Sequence, residues 1–176
     1  DWSSDVCSSD LGNIMEPVYK RLLLKVSGEV LAGDAGHGFD FNVINDVCLN
    51  IKKVTDKGVQ VGIVVGGGNF WRGRSSGDMD RTRADSIGML ATVMNSLALQ
   101  QGFLDIGVEA RVQSAVQITG VVETFIRDEA VRHLEKGRVV IFAGGTGNPF
   151  FSTDSGAALR AAQINADVLL KATNVD

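Results

Sequence analysis

Three short apolar runs in this chain each end in a glycine cluster, and that coincidence restricts the fold more than any other feature. YKRLLLKV (19–26) runs into Ser27-Gly28, VQVGIVV (59–65) into Gly66-Gly67-Gly68-Asn69, and RVVIFA (138–143) into Gly144-Gly145-Thr146-Gly147. Runs this short and apolar suit strands buried on both faces. Glycine supplies 21 of 176 residues, well above the average of about 7%. Proline supplies only 2, so the glycines do not belong to disordered filler. They point to tight turns and to close approach of backbone to a ligand.

Helical patterns separate these runs. Asp40 is placed to cap a helix with Ile44, Val47, Ile51 and Val54 on one face, stopped by Gly58. From Asp85 to Gln101 the apolar positions Ile87, Leu90, Ala91, Met94, Leu97 and Ala98 share a face, and Met89, Val93 and Leu99 make the other side apolar too. A helix apolar all round is buried, often against another subunit. Val108–Val112 reads as a strand, Arg127–Lys136 as a short amphipathic helix, Thr153 or Asp154 as the cap of a helix reaching about Asn165, and ADVLLK (166–171) as a last strand. The alternation predicts an α/β fold: a mostly parallel central sheet with helices on both faces, a three-layer sandwich. Such sheets bind ligands at the carboxyl ends of their strands, where each glycine cluster sits.

Composition excludes several classes. Seventeen Lys and Arg stand against 21 Asp and Glu, a net charge of −4, which disfavours a nucleic-acid coat. No apolar run approaches the roughly 20 residues of a membrane-spanning helix. Cys7 and Cys48 are too few for a disulfide framework or a zinc site; Cys48 reads as a small packing residue. His37 and His133 are isolated, and Lys52, Lys53, Asp56 and Lys57 read as a wet helix face. Residues 1–14 (DWSSDVCSSDLGNI) repeat Ser-Ser-Asp and carry neither helical nor strand period. They are expected to be a foreign or disordered extension, with residues 15–176 as the domain. The chain stops at Asp176 just after a strand-like run, so its C-terminal part is expected to be cut short and its own turnover low.

Successive glycine N–H groups converge on anions, and helix N-termini add partial positive charge. Neither G-x-x-x-x-G-K-[ST] nor a G-x-G-x-x-G beginning at Gly66 or Gly68 is present, which disfavours a Walker NTPase or an ordinary dinucleotide fold. What remains is a phosphate site assembled from several strand ends, with Lys25 and Arg72 as candidate fixed charges. Each cluster alone equally suits a simple turn. Arg72, Arg74, Arg81 and Arg83 are equivalent on composition. Asp85 suits an N-cap, as does Asp154, and Trp71 suits packing better than base stacking.

The segments KVSGE (25–29), VVGGGNFWRG (64–73), ADSIGMLATVMN (84–95), GGTGNPFFSTD (144–154) and ADVLLKATNVD (166–176) resemble bacterial uridylate kinases, members of the amino-acid-kinase superfamily. The resemblance runs from Met15 to Asp176. The triple glycine indicates only the superfamily, whereas GTGNPFFSTD separates uridylate kinases from relatives that phosphorylate carboxylates or carbamate.

That resemblance implies a cytoplasmic enzyme of pyrimidine biosynthesis passing the γ-phosphoryl group of ATP, carried with Mg²⁺, to UMP. Lys25, Val26, Ser27 and Gly28 match the ATP-phosphate segment, Gly68 and Arg72 contacts near the transferring phosphates, and Thr173 the start of the adenine-nucleotide segment. Lys25 and Arg72 take the catalytic roles. Gly67 matches a UMP contact, Asp85 the carboxylate that holds the ribose, and Thr146, Gly147, Asn148, Pro149, Phe150, Phe151, Ser152 and Thr153 the uridine loop. Gly33, Asp34, Ala35, Gly36, His37 and Gly38 match a loop linked to activation by GTP; UTP inhibition and a homohexamer are further family traits. Alternatives are another enzyme of the superfamily or a non-catalytic nucleotide-binding regulator.

Overall fold

The computed structural model describes residues 3–7, 19–72, 77–148 and 152–173. Its strands are β1 (Ser3–Cys7), β2 (Arg21–Val26), β3 (Gln60–Val65), β4 (Ala110–Ser114), β5 (Glu123–Thr124), β6 (Val139–Ala143) and β7 (Val168–Thr173). The helices are α1 (Phe41–Thr55), α2 (Arg81–Asp105), α3 (Arg127–Glu135) and α4 (Thr153–Gln163), with a 3₁₀ stretch over Gly28–Ala35. The strands form one sheet in the order β1-β7-β2-β3-β6-β4-β5, every pairing parallel. None of the described helices is long and apolar enough to cross a membrane.

Strand alternation divides the core. Leu22, Leu24, Ile63, Val65 and Ile141 face one side, where Ile44, Val47 and Ile51 of α1 and Leu99 and Phe103 of α2 cover them. Leu23, Val64, Val140, Phe142 and Leu169 face the other, covered by Leu134 of α3 and Ala157 and Ala161 of α4. The chain is thus the expected α/β sandwich, with both sheet faces dry and all strand carboxyl ends pointing one way.

Asp40 caps α1, its Oδ1 accepting from the N–H groups of Asn42 at 3.0 Å and Val43 at 3.3 Å. Elsewhere the structure corrects the sequence reading. α2 begins at Arg81 under Asp80, whose carboxylate accepts from the Arg83 N–H. Asp85 therefore lies one turn inside the helix and does not open it. α4 is capped by Ser152, whose hydroxyl accepts from the Ser155 N–H, and not by Thr153 or Asp154. The expected apolar face of α2 is split: Ala91 is buried while Leu90 and Met94 are exposed, and on the other side Val93 and Leu99 are buried. The glycine-rich stretch after β2 begins as 3₁₀ helix rather than open loop.

Ser3–Cys7 carries no strand period, yet it adds an edge strand in register with Leu169–Thr173. An extension without structure is not what these five residues form. Pairing along the open edge of β7 uses main-chain groups, which any side-chain pattern permits.

Candidate active site

Because β2, β3 and β6 are neighbours in the sheet, their three glycine-bearing ends meet at one place. Gly28 shows how closely. A methyl group there would stand 2.7 Å from the Gly66 carbonyl oxygen, 2.7 Å from Asn69 Oδ1 and 2.8 Å from the Gly68 nitrogen. Only a residue without Cβ lets the β2 and β3 ends touch. Gly67 is equally confined from the other side, where an added methyl would lie 2.8 Å from the Ala91 Cβ of α2. The β6 end is held by the Gly144 N–H, which donates to Thr92 Oγ1 at 2.9 Å.

A cleft of about 260 Å³ opens beside these ends, between α2 and the start of α4. Of the residues singled out from the sequence, Gly67, Gly68, Asp85, Asn148, Ser152 and Thr153 line it. Asp85 projects from α2 with its side chain one-third exposed, 3.8 Å from Arg81 Nε one turn earlier. Thr146 and Gly147 build the loop rather than the wall. The Thr146 hydroxyl accepts from the Asn148 N–H at 3.3 Å, and the Gly147 N–H donates to the Gly144 carbonyl at 2.9 Å. Pro149, Phe150 and Phe151 lie outside the described residues. The Thr173 backbone ends β7, beside the last residues of β2.

Lys25 and Arg72 stand outside the cleft wall, each against a carboxylate. Lys25 Nζ is 2.9 Å from Asp154 Oδ1 in the first turn of α4, and Lys171 Nζ of β7 is 3.8 Å from Asp154 Oδ2. The hydrogen bond from Lys25, aided by the charge of Lys171, holds the Asp154 carboxyl below the usual range. Arg72 pairs with Glu29 at 2.7 Å. Ser27 and Gly28 lie between Lys25 and Glu29 along the chain, and Glu29 Oε1 is 3.3 Å from where a Gly68 methyl would be. The Gly33–Gly38 loop joins the same assembly through Gly38, whose N–H donates to the Asn69 carbonyl at 3.0 Å.

Several contributors were not legible in the sequence. Thr92, Asn95 and Ser96 are buried polar residues on α2, and two of them hold glycine ends. Polar residues inside an apolar helix were the available signal, since a buried polar group needs a partner. Arg160 of α4 is 4% exposed. It donates to the Gly145 carbonyl at 3.1 Å, lies 4.0 Å over the Phe125 ring and reaches the cleft wall. Burial lowers its pKa, yet arginine keeps its charge. Trp71 lines the cleft as well.

Parallel strands whose glycine-bearing ends meet beside a cleft, with helices on both faces, define an α/β protein with a candidate ligand site at its strand carboxyl ends. The family model described as the amino acid kinase family matches residues 20–176, and the chain belongs to that family. It is similar to the crystal structure of UMP kinase from Bacillus anthracis, with 40% identity and a TM-score of 0.86 over 90% of this chain and 66% of that one. It is similar also to UMP kinase from Ureaplasma parvum, with 40% identity and a TM-score of 0.84 over 89% of this chain and 70% of that one. Uridylate kinase from Archaeoglobus fulgidus is more distant, at 30% identity and a TM-score of 0.59 over 88% and 63%. The chain thus spans roughly two thirds of the length of these proteins.

Proposed function

We propose that the protein is a nucleoside monophosphate kinase that transfers the γ-phosphoryl group of ATP to UMP, giving UDP and ADP, within one domain covering residues 15–176. The meeting of the β2, β3 and β6 ends beside a cleft carries this reading, and the 40% identity to two UMP kinases supports the choice of acceptor.

In this reading UMP occupies the cleft. Asp85 accepts from ribose hydroxyls, Gly67 offers its N–H to the UMP phosphate, and the Thr146–Thr153 loop reads the uracil edge. Uracil is neutral, so its selection rests on hydrogen bonds that a wrong base leaves unpaired. The ATP phosphates lie along Lys25, Val26, Ser27, Gly28 and Gly68, with Thr173 toward the adenosine. The second pKa of a phosphate monoester is about 6, so UMP is a nucleophile near neutral pH without a general base. The protein's task is to align two anions and offset their charge. Lys25 and Arg72 do so by exchanging Asp154 and Glu29 for phosphate oxygens.

Among the described residues no group of three or more His, Cys, Asp or Glu lies together as a metal cage. The donor set therefore fits Mg²⁺ held chiefly by the ATP phosphates, as that ion commonly is, where it would neutralise charge on the transferring group. Assembly into a homohexamer, activation by GTP through the Gly33–Gly38 loop, inhibition by UTP and a cytoplasmic setting in pyrimidine biosynthesis complete the proposal. The exposed Leu90 and Met94 on α2 offer an apolar surface for such assembly.

The test is an acceptor panel. The complete gene product, given ATP and Mg²⁺, is expected to phosphorylate UMP in strong preference to CMP, acetylglutamate or carbamate. Preference for either of the last two overturns the assignment.

A further inference from the structure

Asn69 and Asn95 form a reciprocal amide pair. Asn69 Nδ2 donates to Asn95 Oδ1 at 3.0 Å, and Asn95 Nδ2 donates to Asn69 Oδ1 at 2.8 Å. Each amide has one N–H left. That of Asn69 reaches the Gly38 carbonyl at 2.9 Å, and that of Asn95 reaches the Gly66 carbonyl at 2.6 Å. All four N–H groups are used, and both side chains are buried, at 1% and 0% exposure. A fully satisfied buried polar network holds its parts in one arrangement, because any shift leaves a desolvated group unpaired.

What the pair joins gives it a role. The Gly38 N–H returns a bond to the Asn69 carbonyl, so Gly38 is held by two bonds to one residue. The Gly66 N–H donates to the Val26 carbonyl at 2.9 Å, and Asn69 Oδ1 occupies the space that a side chain at Gly28 would take. One amide pair thus fixes the β3 end against the β2 end and ties both to the loop whose arc, Asp34–His37, faces solvent. The His37 ring also sits edge-on to Phe70, centroids 5.9 Å apart.

We propose that Asn69 and Asn95 are positioning residues that set the Gly66–Gly68 end for phosphate by tying it to the Gly38 backbone. The inference rests on the uridylate kinase reading for its ligand. Neither amide touches the ligand in this account; they act through Gly66 and its neighbours. Losing the pair therefore weakens recognition of phosphate and leaves recognition of the nucleoside intact.

The experiment titrates the chain with UMP and with uridine by calorimetry, alongside urea unfolding. Asn95→Ala is expected to lower UMP affinity about tenfold and to leave uridine affinity unchanged. Gly38→Ala keeps both amides and adds a methyl that meets nothing within 4 Å, but strains a backbone at φ 73°. It is expected to lower UMP affinity about threefold, again sparing uridine, and it decides the matter if Asn95→Ala does not fold. UMP and uridine affinities that fall together, or UMP affinity unchanged in a folded variant, overturn the positioning role while leaving the kinase reading in place. An unmodified chain that binds uridine as well as UMP overturns the kinase reading and this inference with it.

Discussion

Lys25 Nζ lies 2.9 Å from Asp154 Oδ1, joining the end of β2 to the first turn of α4 at the carboxyl ends of the strands. The contact makes Asp154 the resting partner of the lysine proposed to meet the transferred phosphoryl group. In the proposed reaction, phosphate and Asp154 would compete for the same ammonium.

Lys25→Ala is expected to lower UDP formation by the complete gene product at least about a hundredfold, the usual scale for removing one charge-stabilising donor. UMP affinity is expected to change by no more than about twofold, because Lys25 does not line the cleft. Parallel kinetics and calorimetry check this. Unchanged turnover removes Lys25 from the mechanism.

The same pair predicts a pH effect. The Asp154 carboxyl is held low by the hydrogen bond from Lys25, below an unfolded value of about 3.9. The pair's contribution to stability is then fully present above about pH 4 and is lost as pH falls through the lower, folded value. Asp154 is 56% exposed, so the contribution stays below about 1 kcal/mol. Urea midpoints of the unmodified chain and of Asp154→Asn should differ near neutral pH and converge in strong acid. A gap that persists there assigns the effect to something other than the ion pair.

Gly28→Ala is expected to destabilise the fold by about 1–3 kcal/mol. The new methyl meets two main-chain atoms and the end of a hydrogen-bonded asparagine, none of which is free to step aside. A shift of the urea midpoint of that size, with the slope retained, is the measurement. A fold of unaltered stability contradicts the close approach of the β2 and β3 ends.

Leu90→Glu combined with Met94→Glu places two charges on the exposed stripe of α2. Sedimentation of the complete gene product is expected to show an oligomer that the double variant disperses, with helix content retained. A monomer before substitution removes the proposed use of that stripe.

Much of this architecture was legible from near neighbours in the chain. The apolar runs at 19–26, 59–65 and 138–143 became β2, β3 and β6, and Asp40 became the cap of α1 as expected. Such signals are local: strand burial, helical spacing and capping depend on residues a few positions apart. The starts of α2 and α4 were misplaced because several polar residues compete for each cap, and the structure gives the caps to Asp80 and Ser152. Arg72 was singled out by resemblance, and its partner Glu29 was not foreseen.

The order of residues alone determined that this chain makes buried strands ending in glycine, and made phosphate the candidate ligand for those ends. Tertiary structure decided that three of those ends adjoin, that Asp154 faces Lys25 and that Asn95 closes on Asn69. The physical reason is range. Burial and turn formation are set by immediate sequence, whereas a charge pair or a reciprocal amide pair forms only when strand order and helix packing bring distant residues within about 3 Å.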